Sequence, residues 1–181
     1  MQKRHTDRES YFDEQSQTSK NYYIPYIKEV IGHIPDKVLE VGCGEGGNLL
    51  PFAKAGCRVM GVDIDAMRIE QARTFFTQRH QQGQFIATDI FQLEDKATNF
   101  PLILLHDVIE HIRDKERFLS GLQKHLSADG AVFVGFPAWQ MPFGGHQQIA
   151  HSHIVSHFPF LHLLPRTLYL SLIHISEPTR L

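Results

Sequence analysis

A carboxylate placed two residues ahead of a glycine cluster is the richest feature of this 181-residue chain. Residues 39–48 read LEVGCGEGGN, so Glu40 is followed by Gly42, Cys43, Gly44, Gly46 and Gly47. Glycines lack a Cβ, which lets the main chain turn sharply and lets a ligand lie against it. A helix starting just behind such a turn adds unpaired N–H groups beside that ligand. Gly42, Gly44 and Gly47 also satisfy the G-x-G-x-x-G spacing of a nicotinamide or flavin site, a weak signal taken alone. Glu40 argues against that alternative, because a carboxylate gains nothing from a pyrophosphate over the turn. It suits a cationic, phosphate-free adenosine ligand. Its plainer reading is a strand-end carboxylate that caps the next helix.

Other acids recur at matching places. Asp63 closes RVMGVD, where a carboxylate can accept both hydroxyls of a ribose; Ile64 follows it. That feature is shared with nicotinamide sites. Asp65 reads as the cap of the next helix. Asp89 closes QFIATD and can accept from an adenine amino group with Ile90 packing on the ring, or be a solvated strand-end acid. HDVIEHI, residues 106–112, supplies His106, Asp107, Glu110 and His111. Asp107 and His111 share a face if this segment is helical, and a histidine there can deprotonate an acceptor. Glu110 reads better as a cap or a cofactor contact.

Downstream, Trp139, Met141 and Phe143 offer an apolar wall. Gly144 and Gly145 form a flexible turn presenting His146 and Gln147. His146 and His111 are the candidate catalytic residues, with a lid of aromatics packed on the sheet as the plainer account of this region. The histidines crowded here include His151, His153 and His157. No cysteine pair accompanies them, so no metal site is assigned. Tyr11 and Phe12 either close over the site from the N-terminal side or belong to a disordered start.

Those residues need a scaffold that gathers strand ends. The chain alternates helix-like and strand-like segments, which predicts a mostly parallel sheet flanked by helices, a Rossmann-like α/β fold. A helix is expected over 21–33, with Tyr23, Ile27 and Val30 on one face and Pro25 in its first turn. Strands are expected at 37–43, 58–64, 84–90, 101–107 and 130–136. Helices should run through 48–56, through Ile69, Ala72 and Phe76, and after Asp114, burying Leu119, Leu122 and Leu126. Asp129-Gly130 is expected to turn the chain into the fifth strand. Polar groups then meet at the carboxyl edge of the sheet, where open α/β folds bind ligands.

The series LEVGCGEGG, GVDID, ATDIF and LLHDVIEHI resembles the motifs of class I S-adenosylmethionine-dependent methyltransferases. The resemblance is closest to the ubiquinone-biosynthesis-type and other small-molecule enzymes, and covers about residues 20 to 140. It implies a seven-stranded sheet with one antiparallel strand and S-adenosylmethionine as cofactor. It further implies that Glu40, Gly42 and Gly44 contact the methionine end of the donor. Asp63 would hold the ribose, Asp89 and Ile90 the adenine, and His106 with Asp107 the methionine edge. Cys43 and Ile64 count with this cofactor-binding set. A noncatalytic module that kept the cofactor fold is the alternative, and a nicotinamide-dependent oxidoreductase the more distant one.

The resemblance breaks off after the fifth strand. Residues 170–180, LSLIHISEPTR, look like the translation of a sequencing adapter and are set apart as non-native. The family's last strand pair is not visible before them. An uncovered sheet edge would follow, and the chain is expected to be poorly soluble or inactive. The organisation read from sequence is a flexible segment over 1–20, a cofactor-binding domain over 21–137, an acceptor-side lid over 138–169 and a scar over 170–181.

Composition narrows the remainder. The net charge of -2 argues against a nucleic-acid or anionic-membrane surface. Two cysteines cannot frame a disulfide-rich fold and fit a reduced, cytoplasmic setting. The polar N-terminus lacks the apolar core of a signal peptide, and no run is long and apolar enough for a membrane span. A small-molecule acceptor is the partner expected.

Overall fold

The computed structural model describes residues 7–93, 97–136, 141–142, 157–165 and 167–169. Contacts divide the chain into two units, one over Asp7–Phe136 and one formed by Met1–Thr6 with Pro137–Leu181.

The first unit is built on five parallel strands in the order β3-β2-β1-β4-β5. They are β1 (Lys37–Val41), β2 (Arg58–Asp63), β3 (Gln84–Ala87), β4 (Phe100–His106) and β5 (Leu126–Gly135). β1 and β4 are almost wholly buried because both sheet faces are covered, which is why they read as continuous apolar runs. The order reverses between β1 and β4, and the crevice at that switch lies at the carboxyl ends of both strands. The antiparallel strand implied by the family resemblance is not present among the described residues.

Alternation along the strands sends side chains to two cores. Val38, Val59, Phe85, Leu102 and Leu104 face one side. They pack there with residues of α1 (Arg8–Thr18), α2 (Ile24–Ile31), α3 (Leu50–Lys54) and α4 (Ala66–Gln78). Leu39, Val41, Val62, Ile103 and Leu105 face the other, under Phe118 and Leu122 of α5 (Lys115–Leu122).

Four expectations are corrected. Residues 8–18 are helical where a flexible segment is expected. Asp7 caps α1 by accepting from the Ser10 N–H at 2.9 Å, and Phe12 is fully buried against Phe75 and Phe76. A π-helical turn over Ser19–Tyr23 joins α1 to α2, and the inward face of α2 is Ile24, Ile27 and Ile31, leaving Val30 65% exposed. In α5 the buried partner of Leu122 is Phe118, four residues back, while Leu119 points outward. β5 starts at Leu126 rather than at Gly130. Phe100 pairs with Leu126 and Leu102 with Ala131, so the surplus residues bulge within the strand instead of forming a turn before it. A Cβ on Gly130 would lie 2.9 Å from the Phe100 carbonyl oxygen, so the bulge needs a glycine.

In the second unit, a 3₁₀ turn spans Leu161–Leu163 and the Phe160 N–H donates to the Pro142 carbonyl at 2.6 Å. Met141 and His157 are exposed. Trp139, Phe143, Gly144, Gly145, His146, Gln147, His151 and His153 lie outside the described residues.

Candidate cofactor site

The carboxyl end of β1 runs directly into the glycine turn. The N–H groups of Gly42 and Cys43 both donate to the Val62 carbonyl, at 2.8 and 3.1 Å, hooking the turn onto the end of β2. Gly42 has φ 72°, and a Cβ there would lie 2.4 Å from Val108 Cγ2. No other residue fits both conditions. The Gly44 N–H donates to Asp63 Oδ2 at 2.8 Å, and Asp63 Oδ1 accepts from the Asp65 N–H at 2.9 Å. Asp63 therefore ties the glycine turn to the start of α4 while staying half-buried at the sheet edge. Each of its oxygens retains acceptor capacity beyond these bonds. Ile64 beside it is 82% exposed.

Glu40 is 1% exposed. Its Oε1 accepts from Asn48 Nδ2 at 2.8 Å, and its Oε2 is buried without a hydrogen-bond partner. Burial pushes its carboxyl up to about 8; the Asn48 hydrogen bond opposes this and the Asp63 charge adds to it. An orphaned carboxyl oxygen in a buried corner is costly to leave unpaired. A cationic N–H group arriving there would satisfy it and favour the ionised form. Cys43 is buried, and that burial, reinforced by Glu40 and Asp63, pushes its thiol well above the usual range. It lines the turn as a neutral group and not as a nucleophile.

The other lip of the crevice comes from β4. His106 is half-buried, with its ring 5.5 Å from that of Tyr23, and its Nδ1 lies 3.8 Å from Asp107 Oδ2. Asp107 has φ 54°, and its N–H donates to the Gly135 carbonyl at 3.0 Å. A non-glycine residue held in the left-handed region at a strand end is a form of strain typical of binding sites. Tyr23 comes from the π-helical turn and also stacks on Phe133 at 4.9 Å. Burial, then the charges of Asp107 and Glu40, push its hydroxyl up to about 12. It is a neutral hydrogen-bonding group facing both acids.

Asp89 is exposed and caps a 3₁₀ turn over Ile90–Gln92 by accepting from the Phe91 N–H at 3.0 Å. Ile90 departs from the expected ring contact. Its side chain is 6% exposed and packs in the core with Leu93 and Phe118, which an apolar residue one position after a cap favours. The turn thus offers the Asp89 carboxylate and the main chain at the edge. Asp107 and His111 do not share a helical face either. The helical turn covers only Ile109–His111, and the left-handed Asp107 breaks the chain before it. His111 is exposed.

Glu110, read from sequence as a cap or a cofactor contact, has both carboxylate oxygens buried with no hydrogen-bond partner. Two contributors were not evident from sequence. Asn48 is one, and the other is α1, which lies over the glycine turn. A Cβ on Gly47 would lie 2.5 Å from the Phe12 carbonyl oxygen, and Arg8 Nη1 pairs with the buried Glu45 at 2.7 Å. The run of glycines thus serves helix packing as well as ligand approach. A buried Asn and a helix with one buried residue leave no periodic trace in sequence.

Similarity to known proteins follows this frame. A family model described as a methyltransferase domain matches residues 39–132, more than half of the chain. The ubiquinone biosynthesis O-methyltransferase of Bartonella quintana (strain Toulouse) is 33% identical over 118 residues, covering 62% of this chain and 48% of that protein. The Brucella ovis protein of the same name is 32% identical over 98 residues, covering 54% and 40%. The chain thus spans about half the length, or less, of the curated relatives it matches. Coclaurine N-methyltransferase bound to N-methylheliamine and SAH superposes with a TM-score of 0.55 at 25% identity, over 62% of this chain and 34% of that one. PKMT2 from Rickettsia typhi in complex with AdoHcy gives 0.56 at 28%, over 64% and 25%. The plantazolicin methyltransferase BpumL gives 0.59 at 22%, over 73% and 50%, a likeness of fold alone. The matched span begins within β1 and ends within β5, so it contains both lips of the crevice, and the chain belongs to the methyltransferase-domain family with a Rossmann-like class I fold.

Proposed function

We propose that the protein uses S-adenosylmethionine to methylate a small-molecule acceptor. The observation that carries this reading is the buried carboxyl oxygen of Glu40, unpartnered at the foot of the glycine turn. A phosphate-bearing cofactor would meet a carboxyl there, whereas the α-ammonium of S-adenosylmethionine meets a complementary acceptor. Gly42, Cys43 and Gly44 present main chain to the methionine end, Asp63 and Ile64 receive the ribose, and Asp89 accepts from the adenine. His106 and Asp107 close the methionine edge. Bound there, S-adenosylmethionine supplies an activated methyl group on a sulfonium. The protein's part is alignment and exclusion of water, with a base where the acceptor carries a proton to be lost. His111 and His146 are the residues assigned to that base or to the acceptor site.

The relatives named above as O-methyltransferases support a small-molecule acceptor. The net charge of -2 supports an acceptor other than nucleic acid. We also propose a cytoplasmic setting, supported by the free, buried Cys43 and Cys57. Among the described residues no helix is long and apolar enough to cross a membrane.

Calorimetric titration with S-adenosylhomocysteine and, separately, with NADH tests the reading. Saturable binding of the first and none of the second is expected, and the reverse overturns it. Radiolabelled methyl transfer from the donor into a metabolite extract then distinguishes an enzyme from a binding module.

A further inference from the structure

The residue next to Glu40 carries a role of its own. Asn48 lies in the 3₁₀ turn over Gly47–Leu49, two residues past Gly46, and is 2% exposed. Its Nδ2 donates to Glu40 Oε1 at 2.8 Å. Its main-chain carbonyl accepts from Ser19 Oγ, itself fully buried, at 2.8 Å. A single residue thereby links the π-helical turn that carries Tyr23 to the carboxyl at the foot of the glycine turn. Only one oxygen of Glu40 is engaged, and the other is left unpartnered. An amide donor fixed on Oε1 sets the plane of the carboxyl and reserves Oε2.

We propose that Asn48 is a positioning residue: through its amide it orients Glu40 so that the free carboxyl oxygen receives the donor's α-ammonium group. This inference rests on the methyltransferase reading above and deepens it at one corner of the site.

Protonation enters through the same bond. The groups that act on Glu40 are Asp63 from β2, Cys43 from the glycine turn and Tyr23 from the π-helical turn; Tyr23 in turn faces Asp107 and the His106 ring at the end of β4. Burial opposes ionisation of Glu40, and the Asp63 charge opposes it further. Asn48 is the neighbour whose hydrogen bond favours the ionised carboxyl. Ammonium binding therefore displaces a proton from Glu40 at neutral pH, and affinity for the amino-acid end of the ligand rises with pH up to about 8. Loss of the amide moves that rise to higher pH.

The test compares two ligands on the full chain by calorimetry between pH 6 and 9. S-adenosylhomocysteine carries the ammonium, and 5′-methylthioadenosine lacks the amino-acid end. For Asn48→Leu we expect at least about tenfold weaker S-adenosylhomocysteine binding at pH 7, the scale of one hydrogen bond to a charged group. Its pH dependence should shift upward, and methylthioadenosine affinity should stay within about twofold, a factor within the scatter of such packing effects. Methylthioadenosine binding also reports that the pocket has folded. Asn48→Ser, smaller and still a donor, is the companion variant should the leucine disrupt packing, and a partial return of S-adenosylhomocysteine affinity is expected from it. Equal weakening of both ligands would show a packing role and overturn the proposal, as would an unchanged S-adenosylhomocysteine profile. A wild-type chain that binds both ligands equally well removes the Glu40 corner alone. One that binds neither removes the methyltransferase reading with it.

Discussion

At the scale of single residues, the site is governed by one carboxyl kept out of water. Glu40 is held up to about 8 in the folded chain, chiefly by burial, against an ordinary value of 4.5. Between those two pH values the folded chain keeps a proton that the unfolded chain has lost. Stability contributed by this group therefore falls as pH rises from about 4.5 to about 8 and is level above that. Glu40→Gln mimics the protonated carboxyl and can still accept from Asn48. The expected outcome is a variant whose melting temperature gains steadily on the wild type across that window, measured by thermal denaturation without ligand. A constant difference across the window would contradict the assignment. Glu40, Gly42, Gly44 and Asp63 stood out in sequence because strand-end acids beside a glycine turn are visible from residue type and spacing alone. Asn48 did not. An amide at a helix start reads as an ordinary cap, and the burial that makes Asn48 and the already noted Glu110 costly exists only after β1, β4 and the turns between them have met. Ile90 illustrates the converse, since its spacing fitted a ring contact and its packing took it into the core.

At the scale of elements, α1 is the piece that sequence could not supply. Strands announced themselves as apolar runs ending in a glycine or an acid, because a parallel sheet buried on both faces leaves little else to vary. α1 buries Phe12 alone and is otherwise held by pairs at its surface, such as Arg79 Nη2 with Glu9 and Asp13 at 3.1 and 3.0 Å. No apolar stripe exists to be read. β5 was misjudged for a related reason, since Asp129-Gly130 is turn chemistry used here for a bulge. The single anchor makes a sharp prediction. Phe12 is fully buried against Phe75 and Phe76, with ring centroids 5.0 and 6.4 Å away. Phe12→Ala should cost about 3 to 5 kcal/mol in chemical denaturation, the usual range for a fully buried phenylalanine. Gly47→Ala attacks the same contact from the other side. Its Cβ would lie 2.5 Å from the Phe12 carbonyl oxygen and 2.7 Å from Gln15 Cβ, so α1 must move. Faster protease cleavage within residues 8–18 is the readout expected of both variants, and an unchanged cleavage pattern would separate α1 from the glycine turn.

At the scale of the Asp7–Phe136 unit, its two sheet faces are unequally served. Four helices cover one face, whereas among the described residues α5 and short 3₁₀ turns cover the other. β5 pairs with β4 and, among the described residues, with no strand on its other side. Phe133 turns toward Tyr23 and Tyr26, while Val132 turns to the opposite core, so this edge strand is apolar on both faces. A groove of about 550 Å³ runs beside it, lined by Tyr22, Tyr26, Val132 and Val134 among others. Tyr22, Tyr26, Val134 and Phe136 are all substantially exposed. Edge strands of this kind pair with further strands unless a charge interrupts them. The expected behaviour of this chain is concentration-dependent self-association, seen by sedimentation velocity. Val134→Lys places a charge on the exposed flank of β5, away from Glu40, the glycine turn and Asp63. It should shift the distribution toward monomer while leaving S-adenosylhomocysteine affinity unchanged. A wild-type chain that stays monomeric as its concentration is raised would show that the flank of β5 is already protected.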